Sequence, residues 1–133
     1  MKEDVLLPRV ERMMKEHGYL SCRQVPLGTK RIDLVCYSPN YGEIIAIELK
    51  VSKWRLGLQQ ALSRRLCADR VYVAIPRDMV EHIDQQLFSR YGIGIIEVGR
   101  QARIVSDGNR STSIQSSLRR AVIEYLQGNG GRS

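Results

Sequence analysis

The sequence predicts an α/β domain with a mixed central sheet flanked by helices, and three observations carry that prediction. Residues 31–50 read as two β-prone runs joined by the turn formers Pro39, Asn40 and Gly42. A helical pattern after Lys50 leads into the strand-like residues 71–75, a strand–helix–strand crossover that demands parallel pairing and a right-handed connection. Residues 3–17 have the spacing of an amphipathic helix.

In order, Val5, Leu6, Val10, Met13 and Met14 supply the apolar positions of the first helix, and Glu3 and Asp4 sit where the helix dipole favours acid. Pro8 fits there only in a first turn or at a local break, and Gly18 ends the helix. Residues 19–25 suit a strand, with 26–30 as the turn into the next one. Residues 32 and 34–37 form that strand, and 44–51 make a nearly continuous apolar run of strand length. Ser52 is a good N-cap for a helix on which Leu58, Ala61, Leu62, Leu66 and Cys67 recur at helical spacing. Beyond the strand 71–75, one helix opens at Pro76 with Met79, Val80, Ile83, Leu87 and Phe88 on its stripe. A strand at 93–98 and an edge strand after Gly99 follow. Residues 106–113 form a polar loop, 114–126 a last helix, and 128–133 a flexible tail, so that 1–127 make one domain.

The chain has 133 residues, a net charge of +7 and a pI near 9.7. That basic balance favours a polyanion partner, and the surplus of Lys and Arg lies after residue 50. Cys22, Cys36 and Cys67 are odd in number and widely spaced, which gives neither a disulfide framework nor a zinc site. They read as small apolar residues in a reducing setting. No signal peptide or long apolar span is visible, so the expected location is the cytoplasm, away from membranes. No phosphate-binding glycine loop and no nucleophile elbow is present.

Three charges interrupt the apolar pair of strands: Asp33, Glu48 and Lys50. Charges are seldom buried unless paired or bound to metal. Glu48 and Lys50, two apart on a strand, share a face, while Ile47 and Leu49 point the other way. Closing the hairpin brings Asp33 across to them. Two carboxylates and an ammonium then meet at one edge of the sheet, the outline of a metal-assisted phosphodiester-cleaving site.

These residues resemble the PD-(D/E)xK nucleases, the restriction-endonuclease-like fold that also contains archaeal Holliday junction resolvases. The resemblance extends to the His17-Gly18-Tyr19 end of the first helix, to Gln60-Ala61 on the helix after Lys50, to residues 69–76 and to 92–96, and so covers about residues 3–98. Ile32 stands where the motif's name places proline. The resemblance implies an αβββαβ core and one or two magnesium ions, with manganese as substitute, held by Asp33, Glu48 and the Leu49 carbonyl. It gives Lys50 the role of assisting the attacking water or stabilising the phosphate, and Gln60 that of helping to hold the site, with Gln59 as its competitor. It also implies a further glutamate from the first helix, for which Glu3 is the first candidate and Glu11 the second.

Lys53, Arg55, Arg64 and Arg65 form the densest cationic run and read as a DNA-facing helix, with Lys30 and Arg31 as further candidate phosphate contacts. Trp54 reads as a packing residue. The expected function is a metal-dependent DNA endonuclease, with branched or junction DNA as a candidate substrate and a protein partner as a candidate means of targeting. The alternative is a non-catalytic nucleic-acid-binding or assembly module on the same fold. A homodimer is expected by symmetry, because cutting two strands needs two sites.

Overall fold

A computed structural model describes residues 1–129. Six strands form one sheet in sequence order, β1 (Leu20–Leu27), β2 (Lys30–Tyr37), β3 (Ile44–Leu49), β4 (Arg70–Pro76), β5 (Gly94–Val98) and β6 (Ala102–Ser106). The first three are antiparallel, β3, β4 and β5 are parallel, and β6 returns antiparallel along the edge. The parallel run follows from the helical connections. α2 (Trp54–Arg64) joins β3 to β4, and a 3-10 turn (Arg77–His82) with α3 (Gln85–Arg90) joins β4 to β5. This is the predicted α/β class with a mixed sheet between helices.

Each sheet face has its own core. Leu6, Val10, Met13 and Met14 of α1 (Glu3–Glu16) pack on Leu34, Ile45, Ile47, Leu49 and Ile96. On the other face Leu58 and Ala61 of α2, Phe88 of α3, and Val122 and Leu126 of α4 (Ser116–Asn129) cover Val35, Ala46, Val73 and Ile95. The stripes of the last two helices are therefore spent on the core. Cys36 and Cys67 are buried free thiols, and Trp54 packs on Phe88. Among the described residues no helix is long and apolar enough to cross a membrane.

Several boundaries differ from expectation for local reasons. β1 continues through Pro26 to Leu27, which leaves Gly28, in the left-handed region at φ 62°, and Thr29 as the turn. α1 runs straight through Pro8, in its second turn, without a break. Ser52 does not cap α2; the capping position is Lys53, with no side-chain hydrogen bond. α2 ends at Arg64, so Cys67 lies in the turn that follows. The helix expected after Pro76 is split at Ile83–Asp84, because the Asp84 carboxylate accepts from the Leu87 amide and starts α3 afresh. α4 begins at Ser116 and extends to Asn129, so positions 128 and 129 of the expected tail are helical; 130–133 lie outside the described residues.

Candidate active site

The site forms where β2 and β3 part. Their main-chain pairing runs from Tyr37–Ile44 to Leu34–Ile47 and stops. One step further the side chains take over: the Leu49 amide donates to Asp33 Oδ2 at 2.9 Å, and the Asp33 amide points at Glu48 Oε2 at 3.4 Å. The β1–β2 ladder also skips Asp33 and its opposite residue Gln24, which has φ 54°, a value rare outside glycine. At this irregularity the alternation of β2 breaks: Ile32 and Val35 face the α2 side, Leu34 the α1 side. Asp33 is thus set by a distorted strand, half-buried, directly across from Glu48.

Glu48 is 1% exposed. Burial, reinforced by the Asp33 charge and opposed by Arg64, pushes its carboxyl up to about 7. Its charge partner comes from α2. Arg64 Nε lies 3.2 Å from Glu48 Oε2, Nη2 donates to the Arg31 carbonyl at 3.2 Å, and Nη1 reaches Ser63 Oγ at 3.0 Å. Arg64 is itself buried, 3% exposed. It therefore belongs to the interior beside Glu48, and the expectation that it faces DNA is corrected.

Lys50 follows β3 directly, its amide donating to the Ala74 carbonyl at 3.0 Å. Gly57 lets α2 come down onto it: a Cβ built on Gly57 would stand 2.7 Å from Lys50 Cγ and 3.3 Å from Val73 Cγ1. The Gln60 Oε1 atom is buried and has no hydrogen-bond partner among the described residues, an orphan acceptor on the helix that carries Arg64.

Other expected residues stand apart. Glu3 is exposed in the first turn of α1, and among the described residues no three acidic, histidine or cysteine side chains gather as a metal-binding group. Glu11, its competitor, is engaged by Arg23 at 2.6 and 2.8 Å. Lys30, Lys53 and Arg55 are exposed, with Arg55 stacked over Trp54 at 4.5 Å. Arg31 is exposed and donates to the Gln24 carbonyl at 2.9 Å. Arg65, just past the end of α2, is half-exposed and donates to the Tyr91 carbonyl at 2.6 Å.

The donor set suits a hard divalent cation. Asp33 Oδ1 and Glu48 Oε1 take no part in the bonds above, and magnesium is usually held by one or two carboxylates, with water and substrate phosphate completing its shell.

This architecture has the αβββαβ element order, with a mixed sheet between helices, that the resemblance implies. Among solved structures, a protein of unknown function from Silicibacter pomeroyi superposes with a TM-score of 0.77 at 19% identity, over 96% of this chain and 86% of that one. The EndoMS protein of an EndoMS–dsDNA complex superposes with a TM-score of 0.52 at 18% identity, over 76% of this chain. The match spans 45% of the EndoMS chain, a little under half its length. No family profile matches the sequence, and no curated protein matches it.

Proposed function

We propose that the protein is a metal-dependent endodeoxyribonuclease. The observation that carries this reading is the placement of Asp33 across from Glu48 at the point where β2 and β3 separate, with Asp33 accepting from the amide of Leu49, the residue between Glu48 and Lys50. The fold supports it, as does the DNA complex in which EndoMS was solved.

Asp33, Glu48 and the Leu49 carbonyl would hold a magnesium or manganese ion. When bound, such an ion supplies positive charge that acidifies water and offsets charge on the phosphate. Lys50, kept in place by the close approach of Gly57, donates to the attacking water or to the phosphoryl oxygens as they gain charge. Arg64 fixes the Glu48 carboxylate from behind, leaving its second oxygen for the cation. Gln60 Oε1, buried and unpartnered among the described residues, accepts a hydrogen bond from a water of the site. The exposed Lys53, Arg55, Lys30 and Arg31 meet the DNA backbone.

Branched DNA is the proposed substrate form, and a homodimer the proposed assembly for cutting two strands. The test is a panel of supercoiled plasmid, linear duplex, single-stranded and four-way-junction DNA incubated with magnesium. Preferential symmetric cutting of the junction supports both proposals. Equal cutting of all forms removes the structure selectivity, and no cutting of any form removes the enzyme.

A further inference from the structure

Because β3, β4 and β5 are parallel, their carboxyl ends make one rim of the sheet. Asp33, Glu48 and Lys50 hold one stretch of it. Two strands away, the turn between β5 and β6 gathers a second set of charges that the site leaves unused. Arg9 and Arg12 of α1, Arg77 of the 3-10 turn, and Arg100 and Arg103 line two adjoining depressions, the larger about 720 Å³. Glu16 and Glu97 are the acids on these walls, and Glu97 already receives Arg103 Nε at 2.9 Å. Arg12, Arg77, Arg100 and Arg103 are exposed or half-exposed.

The turn that presents them is braced. The Gly99 amide donates to the Gln101 carbonyl at 3.1 Å, the Arg9 guanidinium donates to the Gly99 carbonyl, and the aliphatic part of Arg77 lies against Gly99. Bracing lowers the ordering cost of binding, and guanidinium groups are suited to phosphate.

We propose that this arginine turn is a second phosphate-binding subsite that grips the DNA backbone beside the cleaved bond, as strands about 4.8 Å apart place β5 about 10 Å from β3. The inference rests on the nuclease reading and gives that site a second backbone contact. Asp78 and Glu81 line the depression between the two sets of charges. They repel phosphate, so the backbone is held on either side of them and not between.

The test is fluorescence anisotropy of labelled duplex DNA with the full chain in EDTA, titrated with salt. It compares wild type, an Arg77→Gln/Arg100→Gln/Arg103→Gln variant, Arg100→Gln alone, and a Lys53→Gln/Arg55→Gln variant. The triple variant is expected to bind roughly tenfold or more weakly, with a salt slope lower by about 0.9 for each phosphate no longer neutralised, and Arg100→Gln to lose about one such step. Wild-type affinity and slope in the triple variant, with binding weakened in the Lys53/Arg55 variant, overturn the inference and leave the nuclease reading standing. Absence of DNA binding by wild type at low salt, together with absence of cleavage, overturns both.

Discussion

Arg64 Nε and Glu48 Oε2 stand 3.2 Å apart, with the two side chains only 4% and 2% exposed. A pair this far from water is worth little against an apolar replacement of both partners, but removing one strands the other. Arg64→Ala is expected to destabilise the protein by about 3–5 kcal/mol in urea unfolding. Arg64→Lys keeps a charge but loses the forked reach to Glu48 and the Arg31 carbonyl, so it should fall between the two. Equal stability of wild type and Arg64→Ala would mean the pair is not formed.

The same carboxylate gives a pH dependence. Glu48 has a folded pKa of about 7, above its ordinary 4.5. Its contribution to stability is therefore fully present below about pH 4.5 and is lost as pH rises through 7. The loss totals about 3 kcal/mol by linkage. Glu48→Gln should be free of this loss, so the difference in stability between variant and wild type should widen from pH 4.5 to 7.5. With magnesium below saturation, cleavage should show the opposite trend and rise with pH, since proton and cation compete for the same carboxylate.

Gly57 sets the height of α2 over Lys50. In Gly57→Ala the new methyl group would lie 2.7 Å from Lys50 Cγ, so either the lysine or the helix must shift. Crowding costs stability while alanine favours the helix, and the net loss should stay below about 2 kcal/mol. Displacing Lys50 by a fraction of an ångström to an ångström should still lower cleavage by roughly 100-fold. Single-turnover kinetics beside a melting curve separate the two effects.

A remote tie provides the contrast. Asp69, 6% exposed, accepts from the Ile44 amide at 2.7 Å and from Arg119 Nη2 at 3.0 Å, fastening α4 to the start of β3. Asp69→Ala should cost about 2 kcal/mol, read by urea unfolding.

That Asp33 lies across from Glu48 was legible in the sequence because the turn fixes which residues meet across the hairpin, whereas the break in the alternation of β2 at Asp33 was not, since it depends on the left-handed Gln24 opposite. Arg64 was harder. A run of four cations on a helix reads as an outer face, yet Arg64 falls seven residues after Gly57 and three after Ala61, on the buried stripe. A cation on an apolar stripe is the signal of an internal partner. Gly57 gave no such hint, since a glycine within a helix reads only as a weak position until its neighbour is seen. The break at Asp84 was hidden because the apolar stripe runs on across it, while the capping bond that restarts the helix depends on one carboxylate rotamer.

The central claim is tested most directly by DNA cleavage with magnesium, manganese or EDTA, using wild type beside Asp33→Ala and Lys50→Ala. Wild type should cleave with either metal and not in EDTA, and both variants should lose cleavage although each remains folded. Cleavage that persists in EDTA or in both variants would contradict the site. DNA binding without cleavage under any condition would point to a binding module that keeps the nuclease fold.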